Sequence, residues 1–363
     1  MSDFYEVDLF KVGNGKSGDA ICLRYQREAD EHITIHVVDG GYVENADEFV
    51  AHINSHYGDP QRIEHVVLTH PDGDHAGGLR KILEEFEVGT LWVNRPWNHV
   101  ADLLPRFDYP YTPDGLVQRL KKDFSHTATL EKIAQEKGIE IRDAFQGQEI
   151  GAFKVLSPTR SFYLDLVIES EKTPEAEREA SIVGKVYEAV HEVIGKVASL
   201  WGVENLKGDS VGTSAENEMS IVQLANLSNE KILLTGDAGV RALGLAYDYV
   251  RGIGIPLPGI DKFQVPHHGS RRNLSTEILD QWLGERLPDM PTPEQQTIAA
   301  MISAHEDDPA HPKNAVVRAM WHRGAGVGST ENQEFLYWKP DGQPNRPGCG
   351  PVAGLPYPND MEE

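Results

Sequence analysis

The chain has few cysteines and no long apolar run. Of its 363 residues only Cys22 and Cys349 are cysteines, and they lie far apart in the sequence. Two thiols cannot build a Cys-based zinc site, and we expect both to be reduced, as in a cytoplasmic protein. No stretch is long enough to span a bilayer, and the first residues lack the basic region and apolar core of a signal peptide. These absences predict a cytoplasmic protein with no membrane partner.

Basic residues are scarce as well. The chain has 34 lysines and arginines against 57 aspartates and glutamates, which gives a formal net charge of -23. Broad non-specific binding to nucleic acid normally needs a basic surface, so we do not expect it here. An anionic substrate at one site is not excluded, because bound divalent cations reverse the local potential.

The most informative stretch is residues 69–78, Thr-His-Pro-Asp-Gly-Asp-His-Ala-Gly-Gly. It follows a β-branched apolar run at residues 63–68, so the pattern predicts a strand and then a loop. Packing its imidazoles and carboxylates together is costly unless a cation holds them. Divalent metals bind this mixture of nitrogen and oxygen ligands, whereas a solvated turn is the alternative interpretation. The four candidate ligands of this loop are His70, Asp72, Asp74 and His75.

The pattern His-x-Asp-x-Asp-His resembles the second motif of the metallo-β-lactamase-fold hydrolases, with Asp72 in place of their middle histidine. With two glycines following, it is similar to the hydrolase domain of the ComEC-type competence proteins and their free-standing relatives. The resemblance covers about residues 6–100 and 205–340. It implies an α/β fold, an αββα sandwich, and we expect one hydrolase domain over residues 1–345.

Two motifs in the first forty residues support the resemblance. Residues 6–25 read as a hairpin, and Gly-Asp-Ala at residues 18–20 is similar to the opening motif of the competence-type hydrolases. Lys11 stands where their first aspartate would be. Asp39 ends a predicted strand before two glycines, which resembles the first motif of the family. The resemblance implies that Asp39 orients a metal ligand; a simple turn is the alternative.

The second half of the chain contains three further matches. Other family members place a metal-binding histidine just before a predicted strand; the matching position here is Asn217, or Glu218 in a shifted register, and the competence-type proteins also have Asn there. Asp237 follows an apolar strand, like the aspartate that bridges two metals in the family. In His-His-Gly-Ser at residues 267–270, one histidine is expected to be a ligand and the other to donate a proton or contact substrate. We favour His267 as the ligand because it directly follows the strand, but the sequence leaves His268 open.

Four more candidates concern the substrate. Ser270, Arg271 and Arg272 form a polar, basic spot suited to phosphate oxygens, and solvated surface arginines are the alternative. His311 precedes a proline and a helix, as in the competence-type C-terminus. It is predicted either to act as an acid or phosphate contact, or to maintain the fold.

Together the matches imply a site with two divalent metal ions, zinc or manganese. Metal 1 would take His70, Asp72 and Asn217, metal 2 would take Asp74, His75 and His267, and Asp237 would bridge them. The resemblance implies a hydroxide between the metals as nucleophile, oriented by Asp74, with His268 or His311 protonating the leaving group. The predicted function is a phosphodiesterase or nuclease. The alternatives are a carboxylic ester or lactone hydrolase, and a non-catalytic metal-stabilised binding protein.

The middle of the chain has a different pattern of apolar residues. After Thr173-Pro174, apolar residues recur in steps of three and four as far as Trp201, which predicts an amphipathic helix over residues 173–201. We place it in a helical insertion at about residues 161–205 that covers the site, docks a protein partner or forms a homodimer. Ordinary packing is the alternative. The tail over residues 346–363, rich in Pro and Gly, is predicted to be irregular.

Overall fold

The structure is a computed structural model. It describes residues 3–13, 15–170, 196–198, 200–331, 333–339 and 354–362.

The strands form two large sheets. The first has the spatial order β15 (Phe335–Lys339), β1 (Phe4–Leu9), β2 (Ala20–Gln26), β3 (Thr34–Gly40), β4 (Arg62–Val67), β5 (Glu87–Trp92) and β6 (Glu140–Arg142). The second has the order β14 (Ala325–Ser329), β13 (Ile298–Ile302), β12 (Lys262–Gln264), β11 (Glu230–Leu234), β10 (Val222–Leu227), β8 (Phe153–Ser157) and β7 (Glu149–Ile150). A separate antiparallel pair joins β9 (Lys196–Ala198) to β16 (Asp360–Glu362).

Helices cover the outer faces of the sheets. They are α1 (Ala46–Tyr57), α2 (Gly73–Ala76), α3 (Leu79–Glu85), α4 (Val100–Leu103), α5 (Pro113–Asp123), α6 (Ser125–Lys137), α7 (Arg160–Glu169), α8 (Ala215–Glu218), α9 (Val240–Gly252), α10 (Thr276–Leu283) and α11 (Asn314–Trp321). Side chains such as Thr112, Thr159 and Ser275 accept a hydrogen bond from the first turn of α5, α7 and α10.

Three apolar clusters fill the layers. One lies between the sheets and combines residues such as Leu23 and Val38 with Val155 and Leu234. A second packs the first sheet against α1, α3 and α6, and a third packs the second sheet against α9, α10 and α11. The predicted αββα sandwich is therefore confirmed.

Strand direction places the loops that carry the site. Strands β3, β4 and β5 run parallel in the first sheet, and β11, β12, β13 and β14 run parallel in the second. The carboxyl ends of parallel neighbours meet at one edge of a sheet, where irregular backbone can turn toward a common space. The loops after β3, β4, β11, β12 and β13 all leave from such ends.

Two local predictions need correction. Most of the predicted helix over residues 173–201 lies outside the described residues, but β9 at its end is a strand. The tail is not wholly irregular, because β16 pairs with β9 residue for residue. Both errors arise from a ladder between distant segments, which local apolar spacing does not reveal. The loop at residues 69–78 also contains one helical turn, α2.

Candidate metal centre

The loop after β4 packs directly on the end of β3. A Cβ atom on Gly78 would lie 2.0 Å from the carbonyl oxygen of Gly40, and one on Gly77 would lie 2.5 Å from the backbone nitrogen of Val43. The backbone nitrogen of Gly78 donates to the carbonyl oxygen of Gly41 at 3.1 Å. The two glycines are therefore required for this close approach, which fixes the histidines and carboxylates just before them.

Asp237 lies between three of the predicted ligands. Its Oδ1 atom is 3.4 Å from Nε2 of His75, and its Oδ2 atom is 3.7 Å from Nε2 of His70 and 3.7 Å from Nε2 of His267. The backbone nitrogen of Asp237 donates to Oγ of Ser220 at 3.0 Å. His70, His75 and Asp237 form one group whose ligand atoms all lie within 4.8 Å of one another.

A second group overlaps the first. It combines Asp74, His75 and His268, again with ligand atoms within 4.8 Å, and Nε2 of His268 is 3.6 Å from Oδ2 of Asp74. His75 belongs to both groups, and Asp237 joins His268 in a further group with Asp19. The geometry therefore places His268, rather than the preferred His267, beside Asp74 and His75.

Asp39 contacts His75 directly and contacts His70 through Thr69. Its Oδ2 atom lies 2.8 Å from Nδ1 of His75 and accepts a hydrogen bond from Oγ1 of Thr69 at 2.6 Å. Since the Thr69 hydroxyl donates to Asp39, it can accept from Nδ1 of His70, 3.1 Å away. Both rings then present Nε2 as the lone-pair nitrogen.

The turn that carries His267 and His268 is conformationally unusual. Both residues have a positive φ, 49° and 55°, which costs side-chain-bearing residues roughly 1 kcal/mol or more each. Nδ1 of His267 lies 3.0 Å from Oδ1 of Asn273 and 3.0 Å from Nδ2 of Asn217. The predicted ligand Asn217 therefore contacts a ring nitrogen of His267 on the side away from Asp237.

Several polar atoms in the cluster have no hydrogen bond within the described part of the chain. They are Nε2 of His70, Nε2 of His75, Oδ1 of Asp237 and both ring nitrogens of His268, and all are buried. Burying imidazole and carboxylate atoms without a hydrogen-bond partner destabilises the folded protein unless another group binds them. Their chemistry suits divalent cations such as zinc, so the residues fit the metal that the sequence implies.

The charge balance favours a cation as well. Burial lowers the pKa of His75, but Asp237, Asp39 and Asp74 outweigh it and raise that pKa well above its ordinary value. Burial also lowers the pKa of His268, and the contact with Asp74 outweighs it and raises the pKa to about 9. Carboxylates that stabilise positive charge on buried histidines would stabilise a divalent cation in the same space.

Asp72 and His311 lie at the rim. Oδ2 of Asp72 is 3.7 Å from Nε2 of His70, and the Asp72 side chain is 34% exposed. The ring of His311 lies 5.3 Å from that of His267, and its Nδ1 is 3.2 Å from Oδ2 of Asp308. Burial and the charges of His268 and His267 lower the pKa of His311 to about 4.

The predicted phosphate-binding residues separate into two kinds. Arg271 is 5% exposed, and its Nη1 atom donates to the carbonyl oxygen of Glu362 in β16 at 3.3 Å. Ser270 is buried, and its hydroxyl accepts from the backbone nitrogen of Arg272 at 3.3 Å. The side chain of Arg272 is exposed. Arg271 therefore anchors the C-terminal strand, and Arg272 remains available to a ligand.

The sequence reasoning assigned no role to Asp19. This carboxylate is 2% exposed and belongs to two of the candidate cation groups, with Asp237 and His268 and with Asp39 and His75. The signal was present in the Gly-Asp-Ala motif, but the partners of Asp19 lie in distant parts of the chain. The structure thus brings together the predicted His70, Asp72, Asp74, His75, Asp237, His267 and His268, and adds Asp19.

Comparison with known proteins supports this assignment of the fold. Residues 30–156 match the family model described as the metallo-beta-lactamase superfamily. This part of the chain is therefore similar to the metallo-β-lactamase superfamily. Members of this superfamily are metal-dependent hydrolases that commonly bind zinc. The match includes Asp39 and the whole loop at residues 69–78.

The solved structures that are similar to this chain share little of its sequence. A metallo-beta-lactamase of Cronobacter sakazakii with a HARLDQ motif is 9% identical, covers 67% of this chain and 71% of its own, and has a TM-score of 0.29. Unliganded yeast PDE1 is 11% identical, covers 93% of this chain and 99% of its own, and has a TM-score of 0.37. No curated protein matches the chain.

No helix in the described ranges is both long and apolar enough to cross a membrane.

Proposed function

We propose that the metallo-β-lactamase domain is a binuclear phosphodiesterase of the ComEC-type subfamily, with nucleic-acid ends or small phosphodiesters as substrates. The observation that carries the proposal is the pair of overlapping ligand groups, His70–His75–Asp237 and Asp74–His75–His268. They share His75, and Asp237 directs one carboxylate oxygen toward His75 and the other toward His70. A carboxylate with this arrangement is suited to hold two cations close together.

Two divalent cations bound there would activate a water molecule and stabilise the negative charge that grows at the attacked phosphorus. The residues of the chain then have separate tasks. Asp74 is 27% exposed on its side chain, so it can accept a hydrogen bond from that water while contacting His268. The exposed Arg272 follows the His267–Gly269 turn, where its guanidinium would contact phosphate oxygens. The ring of His311 lies 5.3 Å from that of His267 and would accept a hydrogen bond from a sugar hydroxyl.

Three features favour a phosphodiester over a carboxylic ester. The loop at residues 69–78 and the His-His-Gly-Ser turn resemble the ComEC-type hydrolase domain. A pair of cations attracts an anionic ester, and Arg272 adds a guanidinium suited to phosphate oxygens. The net charge of -23 makes a short or terminal phosphodiester more suitable than long duplex DNA.

The test compares substrates on one preparation loaded with zinc or manganese. Bis(4-nitrophenyl) phosphate, short oligonucleotides, 4-nitrophenyl acetate and a lactone are offered to the wild type, to Asp237→Ala and to the surface control Asp248→Asn. We expect phosphodiester hydrolysis in the wild type and control, and a loss in Asp237→Ala. Hydrolysis of the carboxylic esters alone would contradict the proposed substrate class. Two bound metals without turnover on any substrate would favour a non-catalytic binding protein.

A further inference from the structure

Asp19 lies beside the histidine cluster, and one of its carboxylate oxygens is within 4.8 Å of ligand atoms of Asp237 and His268. Its Oδ1 atom is 3.9 Å from Nδ1 of His268, and its Oδ2 atom is 3.9 Å from Nδ1 of His75. The Nε2 atoms of the same two rings point elsewhere, toward Asp74 for His268 and toward Asp237 for His75. Asp19 therefore faces the two ring nitrogens that are directed away from the proposed cations.

The position of Asp19 is fixed by a glutamine from the other sheet. Nε2 of Gln264 donates to Oδ2 of Asp19 at 3.0 Å. The carbonyl oxygen of that amide accepts from the backbone nitrogens of Thr235 and Gly236, at 2.8 Å and 3.1 Å. Because the amide oxygen is taken by two donors, its NH2 group must face Asp19.

The backbone around Asp19 is held equally closely. Its nitrogen donates to the carbonyl oxygen of Asp74 at 3.1 Å, and its own carbonyl oxygen accepts from the nitrogen of Gly41 at 2.7 Å. A Cβ atom on Gly18 would lie 2.8 Å from the carbonyl oxygen of Asp74. The Gly18-Asp19 segment thus packs closely against the loop at residues 69–78, and the buried carboxylate of Asp19 faces His268.

The pair of Asp39 and His75 shows what such a carboxylate does. Oδ2 of Asp39 lies 2.8 Å from Nδ1 of His75, which leaves Nε2 of His75 facing Asp237. Nδ1 of His268 has no hydrogen bond among the described residues, and the Oδ1 atom of Asp19 is the carboxylate oxygen that faces it. Metal-binding histidines commonly donate their second ring N–H to a carboxylate, which sets the tautomer and the ring direction.

We propose that Asp19 is the positioning residue of His268. With the cation bound, the carboxylate of Asp19, now 3.9 Å from Nδ1 of His268, would accept the Nδ1 proton and so direct Nε2 toward the cation shared with Asp74 and His75. Gln264 keeps Asp19 in place. The inference rests on the proposed metal centre and does not depend on which ester is cut. It makes the N-terminal hairpin part of that centre, through a side chain that does not itself bind the cation.

The experiment measures zinc binding and the histidine tautomer, without substrate. Isothermal titration with zinc compares the wild type, Asp19→Ala, Gln264→Met and the exposed-carboxylate control Asp248→Asn. Removing such a carboxylate typically weakens metal binding by about 10- to 100-fold. We expect that loss for one of the two zinc ions in Asp19→Ala, a smaller loss in Gln264→Met, and two zinc ions bound at saturation in every variant.

Long-range 1H–15N NMR of the zinc-loaded protein supplies the second measurement. The His268 signals are assigned by their absence in His268→Gln. We expect a single tautomer protonated at Nδ1 in the wild type, and a changed Nδ1 signal in Asp19→Ala, with the His75 signals unaltered.

The possible outcomes are distinct. Unchanged zinc affinity together with an unchanged His268 signal in Asp19→Ala would overturn the proposal. Saturation at one zinc ion would overturn it too, because Asp19 would then be a ligand rather than a positioning residue. If the wild type hydrolyses no phosphodiester, the proposed function fails while these two measurements still decide the role of Asp19.

Discussion

Oδ2 of Asp39 lies 2.8 Å from Nδ1 of His75 and also accepts the hydroxyl of Thr69, which in turn contacts the ring of His70. One carboxylate at the end of β3 therefore sets the direction of two histidines on the next loop. That Asp39 orients a metal ligand stays a prediction, and its effect on metal binding is measurable.

Asp39→Asn should weaken zinc binding without removing a ligand. An amide at this place cannot accept from both Nδ1 of His75 and Thr69 as strongly as a carboxylate does, so a loss of about 10- to 100-fold in zinc affinity is expected. Titration with zinc against a competing chelator measures it. Asp248→Asn, which removes an exposed carboxylate elsewhere, serves as the control. Wild-type affinity in Asp39→Asn would mean that the contact does not orient His75.

Asp74 and His268 should behave as one unit in metal binding. Their facing atoms are 3.6 Å apart and belong to one ligand group with His75. Asp74→Asn and His268→Gln are each expected to lower the affinity for one cation. The double variant should lose less binding free energy than the sum of the losses in the two single variants, because both substitutions remove ligands of the same cation. Zinc titration of the four proteins completes the cycle. Fully additive losses would place the two side chains on different cations, and His267→Gln tests the competing assignment.

Much of this site follows from local sequence pattern. Apolar runs that end in polar residues located β4, β11 and β12. The parallel pairing of β11 with β12 places Asp237 and His268 at adjacent strand ends of the second sheet, and His70 follows the end of β4 in the first sheet. Strand length, β-branched residues and glycine positions are local properties, so a single sequence is enough to recognise them.

The remaining details depend on contacts between distant residues. Asp19 is held by Gln264, which is 245 positions away in the chain. Arg271 is buried against Glu362, 91 positions away. The choice between His267 and His268 depends on two successive positive φ angles in their turn. Neither order along the chain nor residue type determines those dihedrals. The preference for His267 used only its place directly after the strand.

Substitution of Arg271 should lower the stability of the fold, whereas substitution of Arg272 should weaken substrate binding. Arg271→Ala removes a buried charged donor to the carbonyl oxygen of Glu362, and such hydrogen bonds contribute about 1.5–3 kcal/mol to the free energy of unfolding. Arg272→Ala should leave stability unchanged and raise KM for a phosphodiester by about fivefold, equivalent to about 1 kcal/mol. Urea unfolding and steady-state kinetics measure the two effects. An equal fall in stability for both variants would contradict the division.

His52, which belongs to none of the candidate cation groups in the part of the chain that the structure describes, gives a pH-dependent contribution to stability. Its ring lies between two carboxylates, with Nδ1 2.8 Å from Glu334 and Nε2 3.5 Å from Asp8. Burial lowers the pKa of His52, but these carboxylates outweigh it and raise the pKa from 6.5 to about 9. The protonated form is therefore favoured more strongly in the folded protein than in the unfolded chain.

Because the folded pKa is the higher one, the stabilisation is complete below about pH 6.5 and disappears as the pH rises through 9. The shift corresponds to roughly 3 kcal/mol. This value is an upper limit for the difference in free energy of unfolding that urea unfolding would measure between pH 6 and pH 9.5. His52→Gln should reduce that difference, because glutamine fills a similar volume and carries no titrating proton. His32→Gln, at an exposed position, is the matched control and should keep the wild-type pH dependence. If His52→Gln and the wild type lose the same stability between these two pH values, the ion pairs with Asp8 and Glu334 do not stabilise the fold.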